Sequence, residues 1–336
     1  MQKKILTLSL FLLIFLVLLS SCADANEEES GTLEFTLSAD GQSYKLTGIG
    51  THTGSTVTIP ATYKDLPVNL ISENAFRDHR EIKKVIIPES ITQIYANAFD
   101  GCTSLATVEC LSSSINMVGV DAFRKTAFVK NKANYENDGL YISNVLIAVD
   151  PKAEGDFRIK DGTMTVAYQC FKNARISSVT IPEGCYHLGK FTFYEAQNLE
   201  SVTLLGGINY LGEGLFYHCR ALKTVDISAG CVNINERVFL GCASLESIRL
   251  SSNLANIKDG AFSACTSLQE VLLPDSCTTI GKEAFLGCTS LRSIGGASSL
   301  TSVGAKAFRD CTSLASCDLP LSAVYGSLAF ANTPLE

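Results

Sequence analysis

Thirteen cysteines, four histidines and 34 acidic residues are the side chains here whose types could do chemistry. So many cysteines suggest disulfides in an oxidising compartment, or zinc sites where the ligands converge. Their spacing points elsewhere. Cys102, Cys219, Cys242, Cys265, Cys288 and Cys311 each lie three residues after a phenylalanine, and Cys185, Cys231 and Cys277 each lie eight before one. Cys110 and Cys317 occupy positions that hold Ile, Leu or Val elsewhere in the same phase. A buried free cysteine behaves as a small hydrophobe. A column of cysteines on stacked coils would stand about 4.8 Å apart with parallel side chains. A disulfide needs convergent Cβ atoms about 3.8 Å apart. A ladder of reduced thiols is therefore expected, with no bridge and no metal. His52, His79, His187 and His218 form no H-E-x-x-H or other catalytic spacing, and His79 takes the cysteine position of its own coil. No nucleophile elbow, phosphate loop or dinucleotide fingerprint lies in a supporting context. Neither an enzyme nor a cofactor is expected.

The element that positions these side chains is a repeat. Phe76, Phe99, Phe123, Phe171, Phe193, Phe216, Phe239, Phe262, Phe285, Phe308 and Phe330 are separated by 23, 24, 48, 22, 23, 23, 23, 23, 23 and 22 residues. Five residues before the Phe stands an apolar residue, as in Ile71, Ile94, Leu211 and Ile257. Six after it stands Leu, as in Leu105, Leu222 and Leu245, and nine after it Val or Ile, as in Val85, Val225 and Ile248. Leu245 to Leu250 reads L-x-x-I-x-L, a leucine-rich-repeat strand in which Ile248 and Leu250 face the core and Arg249 faces out. One coil cannot bury its apolar face alone, whereas stacked coils share a continuous core.

The coil from Leu272-Leu273-Pro274 through Thr279-Ile280-Gly281 to Ala284-Phe285-Leu286-Gly287-Cys288-Thr289-Ser290-Leu291 resembles the BspA-like leucine-rich-repeat family of bacterial surface proteins. The resemblance covers about residues 33–336. It implies a β-rich solenoid of about 23-residue coils and an adhesion-like role, but names no ligand. Two regions leave the period. Residues 33–70 alternate at Leu33-Glu34-Phe35-Thr36-Leu37 and turn at Asp40-Gly41, so a β-hairpin cap leading into the first coil is expected. The solenoid proper then spans residues 71–336. The 48-residue gap after Phe123 hides an atypical coil at about residues 124–160, where Gly139–Val149 reads as two short strands around Asn144. Proteins that resemble this family often carry such a coil, so its expected role is structural. No polar cap is legible at the C-terminal coil.

The outward strand positions are the candidate ligand-binding face. Seven residues after the Phe, successive coils carry Glu200, Lys223, Glu246, Gln269 and Arg292, and ten after it two coils carry Asp226 and Arg249. Opposite charges neighbour one another between coils, so cross-strand pairing is the simpler reading of this face. It is mixed in sign and has no aromatic anchor.

The first residues add a destination. Lys3 and Lys4 precede an apolar run from Ile5 to Leu19 that ends in Leu19-Ser20-Ser21-Cys22. Residues 1–21 read as a signal peptide. The Leu-Ser-Ser-Cys ending resembles a bacterial lipobox, which implies lipidation of Cys22. Residues 22–32 are an acidic tether. Loss of residues 1–21 leaves 25 basic residues against 34 acidic ones, which argues against nucleic acid and against any membrane contact beyond the lipid. The expected protein is a monomeric outer-membrane lipoprotein exposed at the cell surface. It would present its solenoid to a host or bacterial protein or to a glycan. The alternative is an accessory envelope lipoprotein that partners another bacterial protein.

Overall fold

The computed structural model describes residues 32–208, 210–227 and 230–336. The expected signal peptide, Cys22 and tether lie outside the described residues. The chain forms a β-solenoid of about 12 turns. Each full coil has three sides, each side a ladder of hydrogen bonds between coils.

The first ladder is built by the L-x-x-I-x-L strands. It runs through Thr56–Thr58, Lys84–Ile87 and Thr107–Cys110, then Glu154–Arg158 to Ser247–Arg249, then Glu270–Leu273 to Ser316–Asp318. All these pairs are parallel, and they keep one phase, as Val202↔Val225 and Val225↔Ile248 show, except where Glu154–Arg158 slips by one residue against Arg175–Ile181 between Gly155 and Asp156. The second ladder comes from the apolar residue five before the Phe. In most coils it is only two residues long, as in Gln93–Ile94 and Asn256–Ile257. The apolar residue points inward, and Ile71, Ile94, Leu188 and Ile234 are all fully buried.

The third side is a turn around the Phe, with no strand and no regular helix. In all eleven coils of the Phe series, the residues two before and two after the Phe have positive φ. Examples are Asn97 and Gly101, Arg237 and Gly241, and Glu283 and Gly287. These reversals let alternate amides face the next coil. Thus Arg237, Phe239 and Gly241 donate to the carbonyls of Asp259, Ala261 and Ser263. Backbone groups with no strand partner are satisfied in this way. The Phe and the apolar position before it are legible in the sequence, whereas the ladders they support are not.

The Phe rings stack through the core. Phe76, Phe99 and Phe123 form one stack at 5.0 Å centroid spacing. Phe171 to Phe330 form a second, with spacings from 4.6 Å between Phe171 and Phe193 to 5.3 Å between Phe285 and Phe308. Between the stacks, Phe128 tilts against Phe123, and Phe157 meets Phe171 edge-on. The hydrophobic core is accordingly two clusters that meet at the atypical coil.

At the N-terminal end Glu34–Leu37 and Tyr44–Gly48 form an antiparallel hairpin. Its second strand pairs in parallel with Leu66–Ile71, and Tyr63 stacks on Phe35 at 4.3 Å. In the atypical coil Gly139–Ile142 and Val145–Val149 are antiparallel, and the second of these continues the second ladder onto Thr165–Val166.

Candidate functional site

The cysteines pack as core. The twelve among the described residues are free thiols. The thiols of Cys219, Cys242, Cys265, Cys288 and Cys311 each donate to the carbonyl of the preceding coil's Phe, at 3.0 to 3.2 Å. That carbonyl also accepts the amide three residues on in its own coil, as Phe216 does from Cys219. Burial pushes the Cys102 thiol up to about 12 and those of Cys185, Cys231 and Cys277 up to about 11. A thiolate is the reactive form, so these groups are inert near neutral pH. Among the described residues no three His, Cys, Asp or Glu side chains are placed to hold a metal ion. His79 is partly exposed, with its Nδ1 2.8 Å from Glu81.

The seven predicted strand-face residues are exposed, and four of them form ion pairs between coils. Lys223 reaches Glu200 at 2.7 Å, and Arg249 reaches Asp226 at 3.5 Å. Glu200, Lys223, Glu246, Gln269 and Arg292 also form one column by backbone hydrogen bonds, each amide donating to the residue one coil earlier. The same inter-coil pairing joins Lys84 to Glu109 at 2.7 Å. The face therefore spends much of its charge internally. Leu272 on this face is 80% exposed.

The turn face carries what the strand face lacks. Phe191 sits edge-on to Tyr168, Tyr194 and Tyr217, with centroids 5.9 to 6.1 Å away. Tyr194 and Tyr217 stack at 5.5 Å, Tyr217 contacts His218 at 4.4 Å, and the Lys172 ammonium lies 5.7 Å from the Tyr194 ring centre. All five aromatic side chains are partly exposed. Phe191 holds a positive φ of 53°, a backbone state that a bulky side chain rarely adopts. Around the same coils, Tyr186 and Tyr210 are exposed on the second ladder, where His187 stacks on Tyr210 at 5.2 Å. Sequence reasoning missed this patch because it followed only the strand face. The available signal was five of the eleven tyrosines falling within residues 168–217.

Beside the patch is a notch of about 350 Å³ at the atypical coil. Its floor is Val129, Ile147 and Ala148, one wall is Val118–Lys125, and the other includes Ala167–Gln169 and Lys172. Arg124 on the first wall donates to Asp100 at 3.0 and 2.6 Å and lies 3.2 Å from Asp121. Asp100 is buried, and the guanidinium holds its carboxyl below the usual range. A second, polar hollow of about 500 Å³ lies on the far side of the same coil. There Glu136 pairs with Lys160 at 2.8 Å, Asp161 with Arg158 at 3.0 Å and Glu154 with Arg175 at 3.4 Å, while Asp156 accepts from Ser178 at 2.6 Å. These carboxylates hold structural partners and form no acid–base pair across a reacting atom.

The profile of the BspA type leucine-rich repeat region matches in 6 copies, over residues 52–144, 164–291 and 232–336. No curated protein matches the chain. Among solved structures, a leucine-rich repeat protein from Bacteroides ovatus is similar at 25% identity and a TM-score of 0.46, over 90% of this chain and 79% of that one. One from Eubacterium ventriosum is similar at 19% identity and 0.48, over 84% and 94%. A leucine-rich cell surface protein from Faecalibacterium prausnitzii is similar at 21% identity and 0.34, over 88% and 96%.

Proposed function

The chain belongs to the BspA-type leucine-rich-repeat family, and from that membership we propose that it is a non-catalytic, surface-tethered binding module. A lipid on Cys22 and the acidic tether would hold the solenoid at the outer face of the outer membrane. The turn face near the middle of the solenoid would meet a protein or glycan ligand. One observation carries this reading: partly exposed aromatic rings gather on consecutive coils, while the strand face pairs its charges within itself. Aromatic rings supply large contact area with few rotatable bonds and dominate interface hot spots. Catalysis has no comparable support, since the carboxylates of the polar hollow are held in ion pairs and hydrogen bonds.

The test is binding of the purified full-length chain to arrays of glycans, mucins and matrix proteins, beside Tyr194→Ala/Tyr217→Ala. We expect the double variant to lose about tenfold or more in affinity, as for removal of a hot spot. Absence of binding across all panels counts against the proposal. Protease shaving of intact cells, and membrane fractionation of Cys22→Ala, test the display separately.

A further inference from the structure

The notch at the atypical coil differs in charge from the other hollows. Its lining carries Arg124, Lys125 and Lys172 against Asp121 alone. The polar hollow on the far side of the coil is lined by five carboxylates and two basic groups. A third hollow of about 430 Å³, on the turn face between Glu213 and Glu283, is lined by four and two. A fourth, beside the hairpin cap, balances Asp40 against Lys45. Within the notch Arg124 is held by Asp121 and Asp100. Lys125 makes no ion pair among the described residues and lends Asp100 only a distant charge. Lys172 bonds the neutral Gln169 side chain at 3.3 Å and rests over Tyr194. Two solvated ammonium groups thus border one concavity in a chain of net charge −7.

The shape limits what can enter. The atypical coil has no Phe turn, and the Val149 amide donates to the Cys170 carbonyl before the chain reverses at Asp150. That bond carries the backbone ladder across the base of the notch, so an added strand has no place there. Val129, Ile147 and Ala148 close the floor, and about 350 Å³ is open above them. This is the lower end of small-ligand sites, which are concave and mainly apolar with a few polar groups. One compact group fits. The notch also opens onto the aromatic row. Tyr168 and Lys172 line the notch, and the same two residues meet the row, Tyr168 edge-on to Phe191 and Lys172 over Tyr194. Tyr194 and Tyr217 continue the row on successive coils, 5.5 Å apart.

We propose that the notch seats one acidic sugar residue at the end of a glycan. The inference rests on the binding role proposed above, whose aromatic row the rest of the glycan follows, and narrows its ligand to one class. The C–H face of the sugar ring rests on Ile147, Ala148 and the Tyr168 ring. Its acid group lies between Lys125 and Lys172, and a hydroxyl reaches the Gln169 amide, which both donates and accepts. An ammonium group is a compact charge on a flexible stem, so carboxylate and sulfate share this chemistry. An acidic peptide side chain brings the charge but leaves the apolar floor uncovered. A neutral sugar covers the floor but leaves both ammonium groups unpaired. Charge complementarity of this kind fixes register and excludes wrong partners. The notch sets the end of the glycan, and the aromatic row supplies contact area for the remainder.

The experiment uses the full-length purified chain and three sets of oligosaccharides built on the same neutral cores: one ending in a carboxylated sugar, one ending in a sulfated sugar, and the bare cores. We expect at least one acidic set to bind about tenfold or more tighter than the cores, as for a charge-assisted hydrogen bond. The tighter set names the acid group. Lys125→Gln/Lys172→Gln, which alters two solvated side chains, should erase that preference and leave binding of the cores unchanged. Ala148→Phe, which fills the floor, should erase it as well. Equal binding of acidic and bare sets, a preference that survives the lysine changes, or tighter binding of acidic peptides of matched charge overturns the proposal. Ligands lost in Tyr194→Ala/Tyr217→Ala, with no preference for acid in the unaltered chain, would sink the notch and leave the binding role standing. An acid preference that needs the two lysines but is untouched by the tyrosine changes would do the reverse.

Discussion

The Cys242 thiol fits a space the size of a small apolar side chain and donates to Phe216 across the coil boundary. Such thiols stay protonated in the folded chain after the unfolded chain has ionised. Below the unfolded value of about 8.5 both states hold the proton and the full stability is present. Above it only the unfolded state releases protons, so stability falls as pH rises toward the folded value of about 12 for Cys102. The melting temperature should fall steeply from pH 8.5 to 11, because the free energy of unfolding drops by at most about 1.4 kcal/mol per pH unit for each thiol. A flat profile would contradict the burial of these groups. Arg124 gives the acid counterpart. Asp100 is buried, and its depressed value means that its contribution is present above about pH 4 and lost as pH falls below it. Arg124→Ala leaves that carboxylate with Arg77 at 3.8 Å and the more distant charge of Lys125. A loss of about 1–3 kcal/mol is expected in urea melts, larger at neutral pH than at pH 3.

At the scale of the element, the turn depends on two reversed residues per coil. Gly287 has a φ of 71° with open space around its missing Cβ. Gly287→Ala therefore isolates the backbone cost, about 1 kcal/mol. Gly241 has a φ of 75°, and a Cβ there meets the His218 ring at 2.6 Å. Gly241→Ala should cost measurably more than Gly287→Ala, and equal losses would show that the ring moves aside freely. The strand-face pairs behave differently. Lys223 and Glu200 are both more than half exposed, so Lys223→Ala should change stability by less than about 1 kcal/mol. That small cost fits a face whose charges keep neighbouring coils in register.

Across the whole molecule, each coil contacts chiefly its neighbours, and stability is close to a sum of coil and interface contributions. Phe239 lies inside a continuous stack, 5.3 Å from Phe216 and 5.1 Å from Phe262. Phe239→Ala should cost about 3–5 kcal/mol and loosen both flanking coils. Phe330 is partly exposed and has a series neighbour only at Phe308, so Phe330→Ala should cost less and affect the last coil alone. Hydrogen exchange by region would separate the two results. The meeting of the two cores at the atypical coil is the natural place for a second, independent unfolding step.

The sequence by itself determined the coil, its phase and its core. Periodic burial leaves a periodic mark, so the Phe series, the inward Ile and Val positions and the role of Cys219 to Cys311 were legible from spacing alone. The hairpin at Glu34–Leu37 and the strands around Asn144 were legible from alternation and turn residues. The second and third ladders were not. A two-residue strand carries too little alternation to read, and the reversals at the Phe flanks fall on residues as unlike as Asn97, Arg237 and Gly260. The aromatic patch and the notch were decided only by tertiary structure. Tyr168, Phe191 and Tyr217 occupy different positions of three coils and become neighbours when the coils stack. The amides of Asp121, Phe123 and Lys125 donate to no group among the described residues, where the following coil has no Phe turn and reverses at Asp150. No spacing within one coil records what the next coil fails to supply.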